Sequence, residues 1–245
     1  MLKRVKKNSN PGGKVGGGGG LSPGEIATRL VACRLTGVLD GGGVWLAVSE
    51  DVAILLNAYV VGIQEGGEAT AKQTRDALGS SGADVCRVSV LLTLVEAAHY
   101  MIDWGALRIW ERSKAIELSN EDFWTYCIST LPSFVPLYAA YRHFRTKSWF
   151  LRSGIIYGAD FVLYERHPSE IHADYCVVVV PSSQQNEYKW KDIQAMHRLC
   201  NQISKGLMLL YVEEGPHPIP LKARNSIAVE ERVIKRWDFE SAKRK

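Results

Sequence analysis

The sequence predicts an α+β protein, an α/β mixture in two parts. The first is a small N-terminal α/β accessory domain; the second is built on a mixed sheet flanked by helices. Three observations carry this prediction. Ala173–Val180 (ADYCVVVV) is a continuous apolar run of strand length, as expected of a central strand buried on both faces. A helical pattern over Trp190–Ser204 and a second apolar strand, Leu207–Val212, follow it, and strand, helix, strand is the unit of a sheet covered by helices. The charge also changes sign along the chain: residues 21–137 carry 8 basic against 14 acidic side chains, and residues 138–245 carry 17 against 12.

The length, 245 residues, allows one large or two small domains. The five cysteines (Cys33, Cys86, Cys127, Cys176, Cys200) are scattered and have no zinc-site spacing, so they read as reduced core residues of an intracellular protein. The N-terminus has no apolar signal core, and the apolar runs are too short to span a bilayer, so no membrane insertion is expected. The basic cluster Lys3–Lys7 (KRVKK) suits a nuclear address.

Taken in order, residues 1–20 carry five basic groups, no acid and a glycine run at Gly16–Gly20. With almost nothing apolar to bury, they are expected to form a disordered basic tail. A phosphate loop would need a preceding strand and a following GK[ST]. Residues 21–136 form the expected accessory domain. Ser22-Pro23 starts a helix over 24–30, Gly41–Gly43 makes a turn, Val44–Val48 is a strand and Glu50–Asn57 a helix. Gly66–Asp84 reads as a loop, and Val88–Trp104 and Asn120–Thr130 as helices. Trp124, Tyr126 and Phe134 read as core anchors.

Residues 137–245 form the expected catalytic domain. Leu137–Arg145 has helical spacing, with Tyr138, Tyr141 and Phe144 inward and Arg142 and Arg145 outward. A strand over 149–153, a turn through Gly154 and Gly158 and a strand over 160–164 precede the central strand. In the following helix Met196, Leu199 and Ile203 fall on one stripe, continued by Leu207. Arg198 and Lys205, seven apart, fall on the opposite face. Ile227–Trp237 is the last strand.

The chemistry concentrates around Tyr164, His172 and Lys205. A histidine at the wet end of a strand can act as acid or base near neutral pH. A phenol, with a pKa near ~10, takes a proton only beside positive charge or in a concerted transfer. A lysine supplies that charge and can steady an anionic phosphoryl group. Without a carboxylate pair, such a set suits metal-free RNA cleavage, in which a ribose 2′-OH attacks its own phosphate. A tyrosine or histidine at a strand end is ordinarily structural, and a lysine at a helix end ordinarily complements the dipole.

The segment RSGIIYGADFVLYERHPSEIHADYCVVV (Arg152–Val179) resembles the signature of the tRNA-splicing endonuclease catalytic subunits. There a glycine turn and an Asp-Phe strand lead to a tyrosine, a proline loop to a histidine, and the next helix to a lysine. Tyr164, His172 and Lys205 match those positions. The resemblance covers about 138–245; the lead-in YRHFRTKSWFLRSG and the ending VEERVIKRW are most similar to the eukaryotic subunit that cuts the 5′ splice site. It implies cleavage of intron-containing pre-tRNA, leaving a 2′,3′-cyclic phosphate and a 5′-hydroxyl, a lyase-type reaction with no cofactor or metal. Tyr164 would be general base, His172 general acid and Lys205 the transition-state cation. Arg198 and Trp237 would bind substrate, clamping a flipped nucleotide. The resemblance also implies a heterotetramer with other subunits, joined through the strand Val229–Trp237 and the acidic loop Glu213-Glu214. The implied compartment is the nucleus, with cytoplasm or the mitochondrial surface as the alternative. Two departures are Ile156, where a lysine is common, and His167, expected to be a solvated loop residue. A non-catalytic structural or RNA-binding subunit of the same assembly is the alternative. A metal-dependent nuclease would need a carboxylate cluster that the sequence does not present.

Overall fold

The computed structural model describes residues 23–64, 88–112, 116–184, 188–215 and 218–235. The basic tail and the 66–84 loop therefore fall outside the described residues, as do Cys86 and Trp237. The described chain forms an α+β fold with two mixed sheets.

Helix α1 (Pro23–Ala32) leads into strand β1 (Leu35–Asp40), which turns back on β2 (Gly43–Val48). The turn residues Gly41 and Gly42 both have positive φ, 59° and 82°, as a two-residue hairpin of matching twist requires. Helix α2 (Glu50–Ala58) and the short β3 (Ile63–Gln64) follow. Next come β4 (Val88–Thr93) and a helix α3 (Leu94–Ala98) that widens into a π-turn over His99–Asp103. Strands β5 (Leu107–Glu111) and β6 (Ile116–Glu117) complete a sheet of order β3-β4-β2-β1-β5-β6.

Three features here depart from the sequence reading. Val88–Trp104 is not one helix: its first six residues are a strand paired with β2 and β3. Thr93 ends it with a capping box, its Oγ1 accepting from the Glu96 amide while the Glu96 carboxylate accepts from the Thr93 amide. Before that stop, Val88, Val90 and Leu92 bury alternate positions in the core. Strands β1 and β5, absent from the sequence reading, pair in parallel. Gly37 obscures β1 by interrupting its apolar run, yet the glycine is required there. A Cβ on it would stand 2.5 Å from Val44 and 2.8 Å from Leu46. Cys33 is exposed, whereas Cys127, Cys176 and Cys200 are buried.

Helices α4 (Asn120–Thr130) and α5 (Phe134–Thr146) bridge to the second sheet. Trp124 and Phe134 are buried, 5.1 Å apart and edge-on, and Tyr126 is partly buried beside them. Arg145 points inward, contrary to the helical-wheel expectation, and is only 6% exposed. Its guanidinium donates to the carbonyls of Tyr59 and Val60 (2.9 Å each) and to the Tyr141 hydroxyl (3.0 Å). It also lies 4.5 Å from the Tyr59 ring centroid. Val60 has φ 57°, an unfavourable conformation for a β-branched residue, and this grip on its carbonyl helps to hold it. Arg142 is half-buried and pairs with Asp103, which also accepts from the Tyr138 hydroxyl (2.8 Å).

The second sheet has the order β11-β10-β9-β8-β7. Its strands are β7 (Phe150–Ser153), β8 (Phe161–Tyr164), β9 (Tyr175–Pro181), β10 (Gly206–Glu213) and β11 (Ala228–Ile234). Helix α6 (Trp190–Gln202) joins β9 to β10, which are parallel; the other pairs are antiparallel. The β9 run is central, as its composition predicts. Strand parity divides its side chains: Val177 and Val179 enter the large core shared with α5 and the first sheet, while Cys176, Val178 and Val180 face α6. The stripe on α6 differs from the expected one. Ile193 and Cys200 are its buried residues and Met196 packs partly beside them, but Leu199 is 44% exposed.

Candidate functional site

Tyr164, His172 and Lys205 come to one end of the second sheet. Tyr164 is the last residue of β8, opposite Phe150. It packs beside Val162 on the face covered by α6, and is half-buried. The register of β8 is pinned from both ends. The Asp160 amide donates to the Val177 carbonyl (2.9 Å) and its carboxylate accepts from the Val179 amide (2.7 Å). The Asp174 amide donates to the Leu163 carbonyl (2.8 Å), and its carboxylate accepts from the Glu165 amide (3.2 Å). A one-residue slip would send Tyr164 into the large core and Leu163 out of it.

His172 stands three residues before β9, exposed, and its ring has no hydrogen-bond partner among the described residues. The loop that carries it is anchored by His167, which is not the solvated residue the sequence suggested. Its Nε2 bonds the Asn57 carbonyl (3.1 Å), its Nδ1 the Ser169 hydroxyl (2.6 Å), and its ring meets Phe150 edge-on at 6.2 Å. A carbonyl partner requires Nε2 to carry a proton, so Nδ1 of the neutral ring is the acceptor. An imidazole that can bridge two elements is worth more there than a small residue.

Lys205 is not on the helix; α6 ends at Gln202, and so Arg198 and Lys205 do not share a helix face. The chain leaves α6 through a Schellman turn. The Lys205 amide donates to the Cys200 carbonyl (2.9 Å) and the Ser204 amide to the Asn201 carbonyl (3.0 Å). Ser204 takes the left-handed position, φ 55°. The next amide, Gly206, bonds the Asp174 carbonyl (2.9 Å) and starts β10 opposite Tyr175. The backbone thus fixes where Lys205 emerges. Its Nζ donates to the Ala173 carbonyl (3.4 Å), next to His172, and lies 5.6 Å from the centre of the Tyr157 ring.

Tyr157 is the site residue that sequence reading missed, because only folding brings it under a lysine 48 positions away. Burial raises the Tyr164 phenol above its ordinary value; Tyr157 raises it further and Arg152 opposes this. The phenol is therefore protonated at neutral pH, and any proton it removes must leave in concert with bond formation or under added positive charge. The free thiols of Cys176 and Cys200 are both buried in the cluster that α6 covers.

Arg198 is exposed on α6 and has no partner among the described residues. Trp237 lies outside the described residues. Glu213 is exposed at the end of β10, while the Glu214 amide is tied back to the Ser182 hydroxyl (3.3 Å). An apolar groove of about 910 Å³ opens elsewhere, between the two sheets, lined by residues such as Trp45, Leu92, Leu131 and Leu151. It holds none of the three chemical side chains.

Residues 134–217 match the family model described as the tRNA intron endonuclease catalytic C-terminal domain. The chain is 31% identical over 219 residues to the tRNA-splicing endonuclease subunit Sen2-2 of Arabidopsis thaliana, covering 88% of this chain and 81% of the relative. It is 30% identical over 221 residues to subunit Sen2-1 of the same plant, covering 88% and 86%. It is 25% identical over 243 residues to the Sen2 subunit of Rattus norvegicus, covering 87% of this chain and 50% of the relative. At this identity over most of its length, the chain belongs to the Sen2 subunit family of the tRNA-splicing endonucleases.

Proposed function

We propose that this chain is the catalytic subunit that cuts intron-containing pre-tRNA at the 5′ splice site. The observation that supports this most is the convergence of Tyr164, an exposed His172 and the Lys205 ammonium at one sheet end. In the proposed reaction the ribose 2′-oxygen attacks the adjacent phosphorus, and as the O–P bond forms the Tyr164 phenol accepts the 2′-proton while passing its own proton on to water. The bond to the 5′-oxygen breaks, and that oxygen takes a proton from the His172 imidazolium. The products are a 2′,3′-cyclic phosphate and a 5′-hydroxyl, a lyase outcome. Lys205 offsets the negative charge that grows on the phosphoryl oxygens. Because the phenol is raised by burial, concert between its proton transfer and the attack is part of the proposal.

Arg198 and Trp237 are proposed to hold a flipped nucleotide. Partner subunits of a heterotetramer are proposed to bind at two places. One is β11, an edge of the sheet as described, whose outer backbone groups can pair with another strand; the other is the acidic loop at Glu213. Residues 21–136 and 137–245 are proposed as the accessory and catalytic domains.

The test is end-group analysis of pre-tRNA cut by the purified assembly with this chain and its partner subunits, in excess chelator. Cyclic phosphate and 5′-hydroxyl ends at the 5′ site are expected, with cutting there slowed about a hundredfold or more by His172→Ala. A His172→Ala assembly that still cuts the 5′ site at the normal rate would falsify the catalytic assignment and leave the structural-subunit reading.

A further inference from the structure

We propose that Tyr157 is a positioning residue for Lys205, its ring face holding the ammonium at the sheet end. The inference rests on the reading of Lys205 as the cation that stabilises the transition state.

Lysine is a point charge on a flexible four-carbon stem, and a locked backbone does not by itself place the ammonium. Among the described residues the ammonium has one polar contact, the long 3.4 Å bond to the Ala173 carbonyl. The second support is the Tyr157 ring, 5.6 Å below Nζ. An aromatic face attracts a cation, and the carbonyl and the ring constrain the ammonium from two directions. The remaining N–H can then face the wet side, where His172 stands.

The ring belongs to a stiff turn. Tyr157 closes a 3₁₀ turn over Ile155–Tyr157, its amide bonded to the Gly154 carbonyl (2.8 Å). Gly158 follows in the left-handed conformation, φ 66°, and the Ala159 amide also bonds Gly154 (3.1 Å). The Gly154 amide bonds the Asp160 carbonyl (3.0 Å), and Asp160 is itself clamped to β9. A Cβ at Gly154 would lie 2.9 Å from backbone atoms of Ala159 and Phe161, so the turn has no slack. Ile155 and Ile156 project outward, each 79% exposed, while the intervening geometry turns Tyr157 in against the α6-side core. The turn is built to present the tyrosine, not the isoleucines, to the sheet.

The test is single-turnover and steady-state cleavage of intron-containing pre-tRNA by the full assembly. Tyr157→Leu is expected to lower kcat about fivefold to tenfold with KM nearly unchanged. Tyr157→Phe keeps the ring and should restore the rate. If the leucine variant melts early, Tyr157→Met takes its place. In a Lys205→Ala background Tyr157→Leu should cost nothing further. Normal cutting by Lys205→Ala would overturn the reading of the lysine itself. A slow Lys205→Ala with wild-type rates for Tyr157→Leu would overturn only the role of Tyr157. So would a phenylalanine variant as slow as the leucine one, or an equal loss in both backgrounds.

Discussion

The two faces of the second sheet carry different loads. On one, Leu151, Leu163, Val177, Met208 and Leu210 merge with α5 and the four inner strands of the first sheet, β4, β2, β1 and β5, into a single large core. On the other, a small cluster around Cys176, Val178, Ile193, Cys200 and Leu209 sits under one helix, and the candidate site lies at its rim. The first face gives the chain its stability and the second gives the chemistry a rigid but shallow support. Tyr164 and Leu163 are adjacent in sequence and belong to different faces. Their substitutions should therefore fail in different assays.

The largest expected effect lies on the shallow face. His172→Ala should slow cleavage by about 10²- to 10⁴-fold, the usual contribution of a general acid. Because the ring is exposed and has no hydrogen-bond partner among the described residues, the melting temperature should stay within error of the parent. A drop in both would erase the contrast between the faces.

Leu163→Ala is the matching test of the deep face. The side chain is fully buried, so about 2–5 kcal/mol of stability should be lost in urea unfolding. Cleavage per folded assembly should be retained, provided the pinned register of β8 holds Tyr164.

Arg145→Met probes how the deep face is tied to the first sheet. It would strip partners from the Tyr59 and Val60 carbonyls and release the strained φ of Val60. A loss of about 2–3 kcal/mol is expected, measured by the urea midpoint. No change would mean that the strap between α5 and the turn after α2 is incidental.

The smallest effect concerns the edge strand. The Glu231 carboxylate bonds His143 (2.7 Å) and Lys147 (2.6 Å), tying β11 to α5. Burial opposes its ionisation, but these two partners outweigh burial and lower its pKa to about 2. A depressed carboxylate adds stability above its unfolded pKa, and that stability is lost as pH falls towards the folded value. The window is thus from about 4.5 down to about 2. Glu231→Gln should flatten the acid loss in that window by on the order of 1 kcal/mol, after allowance for solvent screening. Parallel acid titrations of the two proteins would remove the assignment.

The C-terminal half was largely legible because its signals are local. The β9 run has only one sensible place in a sheet, and the spacing from Tyr164 to His172 is held by a short loop. What stayed hidden depends on partners distant in sequence. A helical wheel puts Arg145 outside, since it cannot know that two carbonyls and two aromatic rings await it. Val88–Thr93 looks helical until the Thr93–Glu96 box is read as a start rather than as interior. Gly37 makes β1 look like loop, although the close approach of Val44 is what demands glycine. The Tyr157–Lys205 contact has no sequence period at all.

The turn that ends α6 has one more consequence. Two backbone hydrogen bonds, Lys205 amide to Cys200 carbonyl and Ser204 amide to Asn201 carbonyl, set the distance from Cys200 to Gly206, so this segment acts as a gauge of fixed length. An added residue anywhere within it would rotate the exit by about 100° and deliver a different side chain to the sheet end. The length of this joint should therefore be as intolerant of insertion or deletion as the lysine is of replacement. An exposed turn on a protein surface ordinarily varies freely in length; this one is calibrated.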